Sequence, residues 1–455
     1  MLLLLAIAAA APLQFHVDAT EFANTVYHTV CTTGRISCSR DIYLRFWNEK
    51  YKTTPEDGRH FDAFSGVLDE LEKAAPPARP LPYLPNDFEY VPGFEIRQRV
   101  AAAMFGSKSP ADCRRRVRRL MTAAQAERIG EVLEYFGKRL HPWWVATGQA
   151  IVAKHIQDIQ TEFAKSGLAG TAAEVAAFLE TRPESRHYYL HVVPSPEYDG
   201  EHADGTAVGN QFVVELMHKV KGSDAGWVAI HEFTHAMYQL APSARKDALM
   251  RQFVETGDAS GQAFYMYLNE ALATAVEILQ AERQKQTLDE PYTDPYIPRL
   301  GKAALPMLRA ALAQRKTLYD GFARPYLAAG RAELGDVSDG LQFRFSVVAL
   351  VSEPDVREAF LEGQRVHYFV GKEAWSRYPK LNGLLMMRYD QIHFDGDKEM
   401  EEAMAKHRGF VALRQEEEHM TAFVLGRDNA AVAELGKKWW ECKEKVREGV
   451  IYWVD

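Results

Sequence analysis

The chain has little of what marks several protein classes. It contains four cysteines in 455 residues and no C-x-x-C pair, so a cysteine-based metal site is not expected. Acidic residues outnumber basic ones, and the formal net charge of −8 gives no general attraction to nucleic acid. The one dense basic run, Arg114–Arg119, is helix-like and is interpreted as a solvated helix face. No apolar run approaches twenty residues, so we expect no membrane span.

The N-terminus indicates export. Residues 1–11 are almost entirely apolar, and small residues at Ala8 and Ala10 suit a signal peptidase. We therefore predict a signal peptide over 1–11 and a periplasmic or extracellular protein; a frayed apolar terminus is the alternative. Export would permit disulfides, and Cys31 and Cys38 are close enough in sequence to form a local one.

The composition is that of an ordinary globular protein, with 47% hydrophobic and 25% charged residues. Residues 12–140 are predicted to form a helical N-terminal region, with a proline-rich break at 75–93 that cannot continue a helix. This region is interpreted as a permanent domain, although a removable pro-segment is also compatible with the break. Residues 141–290 mix helices and strands, and residues 291–455 are predicted to be mainly helical. The fold class is therefore α+β and predominantly helical.

Two predicted strands precede a polar-faced helix in the middle region. His187–Val193 is rich in aromatic and β-branched residues, and Thr206–Met217 follows a polar loop. Helices are expected at about 144–165 and 264–283. In the C-terminal region, Phe343–Val351 fits either a strand or a buried helix, because periodicity alone does not separate the two.

An H-E-x-x-H motif is the main chemical signal. His231 and His235 are four residues apart, so on a helix both imidazoles reach one metal ion, with Glu232 beside them as a possible base for metal-bound water. The opposite face of this helix carries apolar residues at helical spacing, which predicts that it packs on a core. These packing positions are Ala229, Ile230, Phe233, Ala236, Met237 and Leu240.

A catalytic zinc ion needs a third protein ligand and an open position for water. Glu270 is the best candidate, because it lies on a later helical segment among small alanines that allow a close approach. Glu255 and Asp258 are rival ligands. Thr274, one turn after Glu270, is expected to support a ligand, whereas Glu277 is interpreted as a solvated glutamate.

These segments resemble the gluzincin metallopeptidases. Val228–Met237 fits the extended zincin signature, and Asn269–Thr274 is similar to the N-E-x-x-A-[ST] segment of the gluzincin aminopeptidases. The resemblance covers about residues 187 to 280. The metzincin form is excluded, because Tyr238 and Ala241 stand where that class has glycine and histidine. The glycine-rich exopeptidase element of the aminopeptidases is not recognisable, so the resemblance does not imply aminopeptidase activity.

The resemblance implies a zincin-like catalytic lobe, made of a small mixed sheet and the motif helix. It implies that His231, His235 and Glu270 bind one zinc ion and that Glu232 is the general base. It also implies that the strand Ala207–Met217 is an edge strand along which a peptide substrate lies. Gluzincins stabilise the oxyanion with a later tyrosine or histidine, and no single residue is assigned here. The candidates are Tyr319, Tyr326, His367, Tyr368 and Tyr389.

The leading hypothesis is a secreted zinc metallopeptidase acting on a peptide or protein. One alternative is a non-catalytic binding protein on a zincin scaffold, which the intact Glu232 argues against, because a scaffold has no need of a base. Another is a zincin-fold hydrolase of a non-peptide amide or ester, since a zinc-activated water attacks any suitable carbonyl. The sequence leaves open the choice between endo- and exopeptidase and the oligomeric state.

Overall fold

The computed structural model of the protein describes residues 12–36, 38–75, 94–197, 205–216, 222–254, 259–288, 296–335, 347–350, 369–370, 383–394, 396–416, 419–442 and 451–454. The predicted signal peptide and nearly all of the proline-rich break lie outside the described residues. No helix within these ranges combines the length and the apolar composition needed to cross a bilayer.

The described chain is predominantly helical with small mixed sheets, which confirms an α+β fold. The helices are α1 (Glu21–Thr32), α2 (Arg40–Arg45), α3 (Pro55–Ala74), α4 (Phe94–Phe105), α5 (Pro110–Val117), α6 (Ala123–Trp143), α7 (Gln149–Lys165), α8 (Leu168–Phe178), α9 (Gly222–Leu240), α10 (Ser243–Val254), α11 (Ala259–Arg283), α12 (Tyr296–Gln314), α13 (Ala323–Leu334), α14 (Lys398–Lys406) and α15 (Asn429–Cys442). The strands are β1 (Gln14–Asp18), β2 (His187–Pro194), β3 (Gly205–Val208), β4 (Gln211–Leu216), β5 (Val347–Leu350), β6 (Phe369–Val370), β7 (Gly383–Arg388), β8 (Gly409–Glu416), β9 (His419–Gly426) and β10 (Ile451–Val454).

The first sheet is mixed and has the strand order β1-β2-β4-β3. Strands β1 and β4 run parallel to the central β2, with Phe15 opposite Tyr188 and Phe212 opposite Leu190. Strand β3 is antiparallel to β4 and lies at the edge. The prediction of a helical region over residues 12–140 is wrong over β1, because this segment is stabilised by a partner strand far along the chain, which a local pattern does not reveal.

The single strand predicted over Thr206–Met217 is also wrong, because the structure has a hairpin there. Strands β3 and β4 are joined by Gly209 and Asn210, and Gly209 has φ +63°, a left-handed conformation that glycine adopts without a Cβ penalty. A Gly-Asn pair between apolar runs is a hairpin signal. Apolar residues stand on both sides of this pair, which is why a single strand was predicted. The edge strand beside α9 is therefore β3 alone.

The N-terminal helices are confirmed and pack around an aromatic core. Helix α1 is buried along nearly its whole length, which places the polar His28 in the interior. The His28 ring lies 4.7 Å from the Tyr43 ring and 5.6 Å from the Trp143 ring. Thr54 and Thr122 begin α3 and α6 with capping boxes, which satisfy backbone N–H groups that have no partner within the helix.

A disulfide joins Cys31 near the end of α1 to Cys38 before α2, the local pairing that the sequence allowed. Beyond this loop, Ser39 Oγ donates a hydrogen bond to Glu215 Oε2 at 3.1 Å, and the Tyr43 hydroxyl donates to Glu215 Oε1. Glu215 is fully buried in β4, so these two hydroxyls satisfy a carboxylate that has no access to water. The disulfide loop is thereby attached to the first sheet.

The C-terminal region departs most from its prediction. Helices α12 and α13 confirm the predicted helical structure in the first part of this region, at residues 296–314 and 323–334. Beyond residue 347, the described residues form a six-stranded mixed sheet in the order β10-β8-β9-β7-β5-β6. The prediction of a mainly helical segment is wrong there.

The C-terminal strands were predicted as helices because of their sequence pattern. These strands are short apolar runs, such as Phe410–Leu413 in β8, and periodicity does not separate such runs from buried helices. Phe410 pairs with Leu425 of β9, and both are fully buried in a small core of their own. The ambiguous segment 343–351 contains β5, and its other residues lie outside the described ranges.

Candidate metal centre

Helix α9 rests on the first sheet and directs its histidines towards α11. Phe233 and Met237 are fully buried. The Phe233 ring lies 5.8 Å from Phe15 on β1 and 5.0 Å from Tyr188 on β2. The predicted packing face is confirmed, because Ala229, Ile230 and Ala236 are buried as well. It is wrong only at Leu240, the last residue of the helix, which is 38% exposed.

His231 and His235 project from α9 and meet Glu270 of α11. Their Nε2 atoms are 2.9 Å apart, and Glu270 Oε2 lies 3.6 Å from His231 Nε2 and 3.7 Å from His235 Nε2. The side chains of the two histidines are 12% and 14% exposed and that of Glu270 is 37% exposed, so the group is accessible from the glutamate side. Within the described part of the chain, no other group of three histidine, cysteine or acidic side chains is as compact.

The donors and their separations fit one zinc ion. Bonds of about 2.1 Å at tetrahedral angles place ligand atoms about 3.4 Å apart. The observed separations of 2.9, 3.6 and 3.7 Å lie on both sides of that value. Two imidazole nitrogens and one carboxylate oxygen form a ligand set that catalytic zinc sites use, and they leave a fourth position open.

The remaining nitrogen of each imidazole faces an oxygen on α11. His235 Nδ1 is 3.1 Å from Asn269 Oδ1, and His231 Nδ1 is 3.3 Å from Glu277 Oε2. Because these oxygens accept hydrogen bonds, each Nδ1 carries its hydrogen and each Nε2 is directed to the shared point. The resemblance of the Asn269–Thr274 segment implied no role for Asn269 itself.

The expectation of a solvated Glu277 is wrong, because this residue is only 8% exposed. A signal for its position was available in the sequence. Glu277 follows Glu270 by two helical turns, so the two carboxylates lie on the same face of α11.

Thr274, one helical turn after Glu270, contacts helix α12. An ideal Cβ on Gly301 of α12 would stand 2.5 Å from Thr274 Cγ2 and 2.7 Å from its Cβ. The absence of a side chain at Gly301 therefore lets α12 approach α11 at this threonine. Thr274 is fully buried, and its place in the structure is at the contact between these two helices.

The side chain of Glu232, on α9, lies against strand β3. It is 8% exposed, and its Oε1 lies 3.0 Å from the point where a Cβ on Gly205 would stand. The same Cβ would stand 2.6 Å from Val228 Cγ1. Glycine at this position thus allows the edge strand to pass directly beside the carboxylate. In the sequence, Gly205 is the residue directly before the predicted strand Thr206–Met217.

The charges of α11 act on the two histidines in different ways. Burial tends to lower the pKa of His231, but hydrogen bonds and charge from Glu270 and Glu277 outweigh burial and raise its pKa well above 6.5. Burial lowers the pKa of His235, and the neighbouring His231 acts in the same direction. Without a metal ion, an extra proton is thus held mainly on His231, and a bound cation would displace it.

The alternative site residues fall into two groups. Four of them lie outside the described residues: Glu255, Asp258, His367 and Tyr368. Tyr326 is fully buried, and burial raises its pKa. The Tyr389 hydroxyl donates a hydrogen bond to the His407 carbonyl at 3.1 Å, and the Arg245 guanidinium lies 5.7 Å from the centre of the Tyr319 ring. The burial of Tyr326 and the contacts of the other two give all three tyrosines a structural setting.

The structure thus brings all members of the predicted ligand group together and adds Gly205, Asn269 and Glu277 to their surroundings. Comparison of the chain with protein-family models, with curated proteins and with solved structures found no match.

Proposed function

We propose that the protein is a zinc-dependent metallopeptidase of the gluzincin type, with His231, His235 and Glu270 as ligands of one zinc ion and Glu232 as general base. The observation that carries this proposal is the convergence of two helices. Side chains predicted as ligands from separate motifs have ligand atoms within 4.8 Å of one another. Glu232, the glutamate of the motif, is largely buried, which is the setting expected of a base that acts away from bulk water.

Each residue has a definite task in the proposed reaction. When bound, zinc would supply a Lewis acid that polarises the scissile carbonyl and acidifies water. Glu232 would take the proton of the attacking water and deliver it to the leaving amine. Asn269 and Glu277 would hold the two imidazoles in a fixed orientation.

Strand β3 is the proposed docking edge for an extended peptide. It is the edge strand of the first sheet, and Gly205 places it beside Glu232. Backbone N–H and C=O groups on its outer side would pair with a substrate strand independently of the substrate's sequence. The first sheet and α9 would then be the zincin-like lobe that the resemblance implies.

We further propose that the protein acts outside the cytosol. The Cys31–Cys38 disulfide supports this, because such bonds persist in oxidising compartments. N-terminal sequencing of protein recovered from the periplasm or medium should find a new terminus near Ala11. Retention of an intact Met1–Ala11 segment in a cytosolic protein would contradict the proposal.

Two measurements test the enzymatic proposal. Metal analysis should find about one zinc per chain, and Glu270→Ala should lose it, whereas Glu282→Gln on the exposed side of α11 should retain it. Glu232→Gln should retain zinc but cleave a peptide library far more slowly than the wild type. A zinc-loaded wild type that cleaves no peptide would reject the peptidase function in favour of a scaffold or a different amide or ester substrate.

A further inference from the structure

Side-chain hydrogen bonds attach the turn between β3 and β4 to strand β2. Asn210 Nδ2 donates to the His187 carbonyl at 2.8 Å, and Asn210 Oδ1 accepts from Gln211 Nε2 at 2.9 Å. Gln211 Oε1 lies 2.8 Å from His191 Nε2. The backbone adds one bond, because the Asn210 carbonyl accepts from the Tyr189 N–H at 3.0 Å. The turn is therefore bonded to β2 through His187, Tyr189 and His191.

The chemistry of these groups fixes the direction of every bond in the hydrogen-bonded chain. A carbonyl only accepts, so the amide nitrogen of Asn210 must face His187 and its oxygen must face Gln211. Gln211 Oε1 is then the acceptor for the Nε2–H of His191. Burial lowers the pKa of His191, so its ring is neutral at pH 7. His191 is 2% and Gln211 5% exposed, so water does not compete for these bonds, and they have a single arrangement.

Helix α4 supports the same turn. A Cβ on Gly209 would stand 3.5 Å from Ala102 Cβ, which is an ordinary van der Waals contact. A Cβ on Gly106, directly after the end of α4, would stand 3.7 Å from Gln211 Nε2. Gln211 thus lies where the hairpin meets α4, and the turn is held by both β2 and α4.

The turn determines where the free edge of β3 lies, because β3 pairs with β4 alone among the described strands. Backbone groups alternate in direction along a strand, and those of Gln211 face β3 because the Asn210 carbonyl faces β2. Val208, opposite Gln211, is therefore hydrogen-bonded to β4. The N–H and C=O groups of Ala207 and Gly205 point to the free side of β3. These are the groups with which an extended substrate would pair.

We propose that Asn210 and Gln211 are positioning residues of the peptidase, which hold the docking edge β3 where an extended peptide pairs with it. This inference rests on the proposed function. Gly205, which lies beside Glu232, is about 14 Å along the strand from the turn. Loss of the hydrogen bonds at the turn therefore displaces the docking groups near the turn more than the general base. A docking edge binds substrate and transition state alike, so its displacement raises KM and leaves kcat unchanged.

The test compares zinc-loaded Asn210→Ala and Gln211→Met with the wild type, since each variant loses the side-chain bonds of one residue of the turn. We expect each to raise KM for the best library peptide about 10-fold, as the loss of one or two substrate hydrogen bonds would. Their kcat and zinc content should not change, nor should KM for the shortest derivative of that peptide that is still cleaved. Asn48→Ala is the matched control, because Asn48 Oδ1 accepts a hydrogen bond from Thr53 in the N-terminal helical region.

The outcomes separate this inference from the proposed function. A wild type that cleaves the peptide, with KM unchanged in both variants, would overturn the inference alone. A lower kcat at unchanged KM, or an equal rise in KM for the shortest derivative or in Asn48→Ala, would also overturn it, because the turn would then serve the general fold. The dissociation constant of the intact peptide on Glu232→Gln, with and without Asn210→Ala, gives the same comparison without turnover. A zinc-loaded wild type that neither cleaves nor binds a library peptide would reject the proposed function, and the inference with it.

Discussion

Replacing Gly205 with alanine would show how closely strand β3 controls the general base. The new Cβ would stand 2.6 Å from Val228 Cγ1 and 3.0 Å from Glu232 Oε1. Carbon atoms pack at about 3.5–4.0 Å, so β3 and α9 would have to separate by about 1 Å. The substitution therefore perturbs the position of Glu232 relative to the proposed docking edge without removing any proposed catalytic group.

The expected effect follows from this displacement. A misplacement of about 1 Å costs about 10²-fold in rate, which corresponds to about 2.7 kcal/mol of transition-state stabilisation. The zinc ligands lie on α9 and α11 and face each other rather than β3, so zinc content should not change. We expect Gly205→Ala to lower kcat/KM by about two orders of magnitude with zinc still bound.

The assay is kcat/KM on the best peptide of a library, with zinc measured on the same preparation. Adding Val228→Ala to Gly205→Ala removes the closer contact and should restore part of the activity, and Val228→Ala alone is the control for the double variant. Wild-type kcat/KM in Gly205→Ala would refute the argument. Loss of zinc from Gly205→Ala would also refute it, because the perturbation would then have reached the ligands.

Three further predictions concern other parts of the chain. Glu277→Gln should weaken zinc binding about 10- to 100-fold in competition with a chelator, whereas the exposed Glu282→Gln should not, and equal affinities would reject the orienting role of Glu277. His28 has no hydrogen-bond partner among the described residues, and burial lowers its pKa from 6.5 to about 3. The fold thus requires neutral His28, so its contribution to stability is complete above pH 6.5 and is lost as the pH falls towards 3, by up to about 1.4 kcal/mol per pH unit. His28→Phe should flatten the pH dependence of the urea midpoint in this window, and an unchanged slope would place the acid sensitivity elsewhere. Reduction of the Cys31–Cys38 disulfide should lower the free energy of unfolding by about 2–3 kcal/mol, because the unfolded chain regains loop entropy. Urea denaturation with and without reductant measures this, and identical curves would show that the bond adds no stability.

The proposed metal ligands could be predicted from the sequence because local patterns determine their positions. The spacing of His231 and His235 fixes their relative position on any helix, and the apolar residues around them at helical spacing determine which side faces the core. Glu270 was recognisable from the small residues that follow it. Helical spacing also places Glu277 on the face of Glu270, two turns later. The opposite prediction came from the general tendency of glutamate side chains to be solvated.

The strands were predicted less well because their determinants are not local. Strand β1 depends on a partner in the middle of the chain, and the C-terminal strands are too short for their period to separate them from buried helices. The close approach at Gly205 depends on how a hairpin packs on a helix, and no local pattern encodes that distance. The sequence around a loop glycine does not indicate which side chains of other elements lie close to it in space.

The pairing of β1 with β2 has a consequence for the order of folding. Gln14 pairs with His187, so the first strand of the chain has no hydrogen-bond partner until residues 187–194 have been synthesised. Contacts of such long range form slowly, because a large loop must close before they stabilise the chain. Phe15 on this strand supports Phe233 of the motif helix. The N-terminal helices can therefore fold early, while the surface that supports the metal helix is completed late.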